Sequence, residues 1–154
     1  MSGQQKLPSD FLAALNYPRR EGVSLKFHHV GIACKSIKRE MEIYKNLGFT
    51  VEDEIFEDPR QKIRGVFLVL DQYRIELLEA INPTDGSPLD PFLSRGIKLY
   101  HHAFLVNQIH DAISDLLNQG AVVQVAPVES VAFKGKKIAF LMLKNMTLVE
   151  LIES

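Results

Sequence analysis

Two carboxylates sit where carboxylates are costly. Glu76 interrupts the apolar run Arg74-Ile75-Glu76-Leu77-Leu78-Glu79, and Glu150 interrupts Leu148-Val149-Glu150-Leu151-Ile152-Glu153. Both runs read as buried strands, where an ionised acid is expensive unless something pairs with it. Two histidines, His29 and His101, stand on apolar strands of their own. Two imidazole nitrogens and two carboxylate oxygens are a suitable donor set for one divalent transition metal: Zn, Co, Ni, Mn or Fe. The charge of such an ion removes the penalty on the buried acids. In an octahedral site, four protein donors leave two positions for water or substrate oxygens.

An internal repeat ties these residues together. At an offset of 72, His29 falls on His101, Ile37 on Ile109, Met41 on Ile113, Asn46 on Asn118 and Gly48 on Gly120. At 73, Phe67-Leu68-Val69-Leu70 falls on Phe140-Leu141-Met142-Leu143, and at 74 Ile75-Glu76-Leu77 falls on Val149-Glu150-Leu151. The offset grows where turns absorb insertions. The chain is a tandem duplication, and each copy supplies one histidine and one glutamate.

Each copy has the same plan of elements. A strand (26–33, then 99–106) leads into an amphipathic helix (36–47, then 108–119). The first helix offers Ile37, Met41, Ile43, Tyr44 and Leu47 as its apolar set; the second offers Ile109, Ala112, Ile113, Leu116 and Leu117. Gly48 and Gly120 stand where a helix end favours a left-handed residue. Three strands follow: 50–56, 65–70 and 73–80, then 122–127, 137–143 and 147–152, with turns at Asp71-Gln72 and Lys144-Asn145. The connector, 81–98, holds a loop and a short helix over 90–95. The expected fold class is α+β: two tandem βαβββ modules forming a curved mixed sheet around a metal cleft. Module one spans 26–80 and module two 99–153, within a single domain over 26–153; residues 1–25 form an N-terminal arm.

Alternation along the opening strands decides which way the histidines point. His29 shares a face with Gly31 and Ala33, and His101 with Ala103 and Leu105. The bulkier apolar set belongs against the helices, so the face of His29 and His101 turns toward the cleft. His28 and His102 face the other way and read as structural or supporting residues. His110, at a helix start, is expected in solvent.

Composition fits a globular chain of 154 residues with a net charge of −1 and a pI near 6.5. Neither a nucleic-acid partner nor an anionic membrane is indicated. No apolar run approaches the ~20 residues of a membrane span. No signal-peptide core is seen at the N-terminus, whose apolar patch is the short FLAAL. Cys34 is the single cysteine, which excludes an internal disulfide, reads as a small buried hydrophobe and suits a reducing compartment. The expected location is cytoplasmic.

The paired modules resemble the vicinal oxygen chelate superfamily. The resemblance is carried by "FHHVGIACKSIKREMEIYKNLGFTV", "YHHAFLVNQIHDAISDLLNQGA", "IELLE" and "VELIE", and it covers 26–153. "SPLDPFLSRGIKLYHH" and "PVESVAFKGKKIAFLML" resemble the methylmalonyl-CoA epimerase branch, with the lactoylglutathione lyases (glyoxalase I type) beside it. The resemblance implies metal ligation by His29, Glu76, His101 and Glu150, and a homodimer. One departure is visible. Some epimerases use an additional Glu on the strand before the first-module ligand, whereas Arg64-Gly65-Val66-Phe67-Leu68-Val69-Leu70 holds no carboxylate.

The expected function is abstraction and return of a proton next to a carbonyl through a metal-stabilised enediolate, with Glu150 or Glu76 as the catalytic base. The substrate is a small molecule, a thioester or thiol adduct. Lys134 and Lys136, or Arg60, Lys62 and Arg64, are candidates to meet an anionic tail, against a reading of both clusters as solvated loops. A lactoylglutathione lyase, a related biosynthetic isomerase and a metal-independent small-molecule binding or resistance protein are the alternatives. A ring-cleaving dioxygenase, with iron on two His and one carboxylate, is disfavoured by the fourth donor, Glu76.

Overall fold

The computed structural model describes residues 22–154, so most of the expected N-terminal arm lies outside the described residues. β1 (Lys26–Ala33) leads into α1 (Ile37–Asn46), then β2 (Thr50–Val51), β3 (Phe56–Asp58), β4 (Ile63–Leu70) and β5 (Tyr73–Ala80). After α2 (Asp90–Leu93) come β6 (Leu99–Val106), α3 (Ile109–Asn118), β7 (Val122–Glu129), β8 (Lys137–Met142) and β9 (Leu148–Glu153).

The strands form one curved, open sheet in the order β2-β4-β5-β1-β6-β9-β8-β7, with β3 also pairing with β4. β1 runs parallel to β5 and β6 parallel to β9, while β1 and β6 meet antiparallel at the centre. The duplication is therefore written into the pairing. Gly31 lies beside Glu76, and its repeat equivalent Ala103 lies beside Glu150. Phe67 pairs with Glu76 as Phe140 pairs with Glu150.

Period-two alternation divides the apolar residues between the two faces of the sheet. Cys34, Ile37, Val66, Leu68 and Leu77 pack with α1, and Val106, Ile109, Ala112, Leu141 and Leu151 pack with α3. A third cluster, including Ala33, Leu78, Tyr100, Ala103, Phe140 and Ile152, fills the concave side. Glu76 and Glu150 alternate with the helix-facing leucines and so face this concave side.

Several expectations need revision. The strand expected over 50–56 is broken into β2 and β3, because residues 52–55 leave the ladder. The connector helix stops at Leu93, short of Arg95. Ile43, Leu47 and Leu117 are largely exposed, since ten-residue helices present only one narrow stripe to the sheet. His110 is exposed, as expected.

The second glutamate of each repeated motif has its own task. Glu79 Oε2 accepts a hydrogen bond from the Ile37 amide at 2.6 Å, and Glu153 Oε2 accepts one from the Ile109 amide at 3.0 Å. Each module's last strand thereby satisfies a free N–H at the start of its helix, where a negative charge also suits the helix dipole. Ser36 adds a conventional cap on α1, accepting from the Arg39 amide at 3.3 Å. Gln108, at the corresponding position before α3, makes no side-chain cap. Glu153→Ala is accordingly expected to lower stability by about 1 kcal/mol in urea unfolding, and an unchanged midpoint would contradict this capping role.

Candidate metal centre

β1 and β6 deliver the two histidines and β5 and β9 the two glutamates, all from the four central strands. In the antiparallel register His29 lies opposite Ala103 and His101 opposite Gly31, so the rings meet diagonally across the strand pair. His29 is 0% exposed, His101 2%, Glu76 5% and Glu150 4%. One donor atom from each of the four lies within 4.8 Å of the other three. His29 Nε2 is 3.1 Å from Glu76 Oε2 and 3.4 Å from Glu150 Oε2, and His101 Nε2 is 3.2 Å from both oxygens. The two Nε2 atoms stand 3.0 Å apart.

Such a cluster must be charge-balanced. Burial disfavours charge on His101, but hydrogen bonds to Glu150 and Glu76 outweigh it and push its pKa up to about 9. The same opposition leaves His29 raised. Glu76 and Glu150 are lowered, because hydrogen bonds from the imidazoles overcome their own desolvation. Without a metal, two protons balance the two carboxylates; one divalent ion with neutral imidazoles balances them equally.

The donor set fits a cation better than it fits protons. The two Nε2 atoms face each other at 3.0 Å with two carboxylate oxygens beside them, a grouping that one ion at its centre would satisfy at once. Donors about 2.1 Å from a common ion at right angles are about 3.0 Å apart, close to the separations found. Glu150 Oε2 is buried and faces both imidazole nitrogens, at 3.2 and 3.4 Å, as suits an oxygen that shares an ion with them.

Gly31 makes room for this geometry. A β-carbon there would lie 2.3 Å from Cε1 and 2.4 Å from Nδ1 of His101. The small residue on the histidine face is therefore filled space, occupied by the imidazole of the other module.

Phe67, Phe133 and Phe140 stand against the histidine rings. Beside Glu76, His101 and Glu150 is a cavity of about 20 Å³, room for about one water, reached also by Asp58, Tyr100 and Ser130. Tyr100 also lines two larger neighbouring cavities of about 460 Å³ each. One is apolar, with Phe92, Phe140, Met142 and Leu148; the other carries Arg60 and Lys62. Of the remaining candidate cations, Arg64 lies 3.4 Å from Glu57 and 3.5 Å from Glu79, and Lys134 and Lys136 are exposed.

Sequence reasoning singled out neither Asp58 nor Tyr100. Asp58 Oδ1 accepts from the Arg60 and Gln61 amides and Oδ2 from Gln61 Nε2, so its carboxylate holds the β3–β4 turn. The dipeptide Asp58-Pro59 was the available signal of that turn. Tyr100 reaches the cavity although it neighbours His101 in sequence, because β6 is irregularly paired near it, with a register shift between the Gly31 and Ile32 pairs. His28 is half-buried, and its pKa falls to about 4 through burial and the neighbouring His29 and Arg74. Cys34 is buried, its thiol pushed up to about 12 by desolvation and nearby acids, as befits an inert packing residue. Among the described residues no helix is long and apolar enough to cross a membrane.

A family profile described as the glyoxalase/bleomycin resistance protein/dioxygenase superfamily matches residues 28–140. The mitochondrial methylmalonyl-CoA epimerase of Dictyostelium discoideum is 31% identical over 132 residues, covering 83% of this chain and 78% of that protein. Among solved structures, a hypothetical protein of Bacillus halodurans superposes with a TM-score of 0.73 at 29% identity, covering 85% of this chain and 95% of the other. A Streptomyces coelicolor methylmalonyl-CoA epimerase variant in complex with 2-nitronate-propionyl-CoA gives a TM-score of 0.71 at 26% identity, covering 85% and 99%. The chain belongs to the glyoxalase/bleomycin resistance protein/dioxygenase superfamily.

Proton balance gives a direct test. Below pH 9, where His101 is protonated in the metal-free protein, an ion must displace protons to bind. Zinc titration at pH 7 by calorimetry in buffers of different ionisation enthalpy is expected to show release of at least one proton per ion, from His101. Affinity should rise with pH until the imidazoles are neutral. Binding without proton release would rule out this pairing of charges.

Proposed function

We propose that the protein is a divalent-metal-dependent epimerase acting next to the carbonyl of a thioester, of the methylmalonyl-CoA epimerase type, folded as one domain over 26–153. The observation that carries this reading is the convergence of His29, Glu76, His101 and Glu150 on one buried point. It is supported by similarity to proteins named as that epimerase. When bound, a divalent cation supplies positive charge at a substrate carbonyl oxygen and so acidifies the neighbouring C–H.

The chain's own residues do the rest. His29 and His101 would hold the ion through neutral nitrogens, while Glu76 and Glu150 would balance its charge. The first-module strand β4 has no carboxylate, and the Asp58 carboxylate is engaged by its turn, so the proton falls to Glu150 or Glu76. One of them takes the proton from one face of the carbon, and the other, in its protonated form, delivers a proton to the opposite face to give the epimer. The phenylalanine rings keep bulk water from the exposed carbanionic carbon. The apolar groove beyond Tyr100 suits a thioester arm, and Arg60 and Lys62 suit an anionic tail.

Metal-loaded protein in deuterium oxide is expected to exchange the α-proton of methylmalonyl-CoA, and chelation should abolish the exchange. Failure of the loaded protein to exchange this substrate while it converts the methylglyoxal–glutathione hemithioacetal would replace the epimerase reading with the lyase one. Glu150→Gln is expected to reduce exchange by about 10²–10⁴-fold. Metal content measured on the same sample separates loss of the base from loss of the ion. A fully active Glu150→Gln protein would exclude Glu150 as the base.

A further inference from the structure

The duplication accounts for the four donors but not for what stands behind them. His29 Nδ1, the nitrogen turned away from the donors, is 2.7 Å from Nδ1 of His28. On its far side His28 Nε2 is 3.4 Å from Nη1 of Arg74. Arg74 is gripped in turn by Glu52 through two hydrogen bonds, Nε to Oε2 and Nη2 to Oε1, each 2.7 Å. A continuous polar chain thus runs from a half-exposed ion pair, through a half-buried imidazole, to a fully buried one.

Module two has nothing equivalent. The residue at the His28 position is Tyr100, and His101 Nδ1 is buried without a hydrogen-bond partner among the described residues. The ring of His101 is instead confined by contact with Gly31, as the space beside that glycine shows. One histidine is held by a polar tether and the other by steric fit.

From this asymmetry we infer that His28, braced by the Arg74–Glu52 pair, is a positioning residue that fixes the ring of His29 and leaves Nε2 as the nitrogen offered to the metal. The inference rests on the proposed metal site. For Nε2 of His29 to be free for an ion, its Nδ1–H must donate to Nδ1 of His28, whose own proton then lies on Nε2, so Arg74 at 3.4 Å confines the His28 ring by contact and not by donating to it. Groups that orient a ligating histidine through its second nitrogen affect metal affinity strongly. Read without this role, Arg74–Glu52 is an ordinary surface pair of little energetic consequence, and His28 is one aromatic among Phe67 and Phe133.

The two readings part on His28→Phe, which keeps a ring between Phe67 and Phe133 but removes the tether. The measurement is cobalt(II) affinity of the full chain, by competition with a chromophoric chelator, together with the visible spectrum of the bound ion. His28→Phe is expected to weaken binding by about 10–100-fold and to alter the spectrum. His28→Gln, which can still bond to Nδ1, should recover most of the affinity, and Arg74→Met should fall between wild type and His28→Phe. Thermal unfolding of the metal-free variants monitors the fold. His29→Ala is the reference: if it binds cobalt as tightly as wild type, the metal site itself is wrong. If His29→Ala loses the ion while His28→Phe holds it with wild-type affinity and spectrum, the metal site stands and the positioning role is overturned.

Discussion

The structure is organised around the mutual compensation of two buried carboxylates and two buried imidazoles. Each acid would be prohibitive alone at the middle of an apolar strand, and each imidazole would sit unpartnered. Together they form a cluster whose charge closes on itself, with nitrogen-to-oxygen separations of 3.1 to 3.4 Å. Such a cluster can exist only where four strands from two modules meet. The curvature of the sheet and the antiparallel seam between β1 and β6 both serve that meeting.

The two halves are alike in their donors and unlike in their supports. Glu76 and Glu150 share strand position, neighbours and burial, and Glu79 and Glu153 repeat the same service to the two helices. Around that frame the modules diverge. Module one braces its histidine through His28, Arg74 and Glu52; module two fits its histidine against Gly31 and places Tyr100 between the centre and the larger cavities. This divergence gives a nearly symmetric set of four side chains asymmetric surroundings.

The cavity beside the donors also limits the chemistry. It has room for about one water, and Phe56, Tyr100 and Phe140 are among its walls. Charge developing there is not screened by solvent, so fixed groups act at close to full strength. The larger apolar space lies beyond Tyr100, apart from the four converging side chains.

Much of this was legible in the chain by itself. The repeat at offsets of 72 to 74 singled out the four residues that converge, because a duplicated polar residue in a duplicated apolar strand marks a shared requirement. Strand alternation placed them on the concave face, and the helices and their glycine ends followed from local periodicity and backbone sterics. Other features belonged to tertiary structure alone. That Gly31 yields its space to His101, that Glu79 and Glu153 cap helices some forty residues away, and that Ile43, Leu47 and Leu117 remain in solvent all depend on which strands lie side by side. So does the break between β2 and β3, where pairing stops although the sequence reads as continuous strand. Periodicity is a property of neighbours along the chain and survives in the sequence; contact across the sheet depends on register, which is fixed only once both modules have folded against each other.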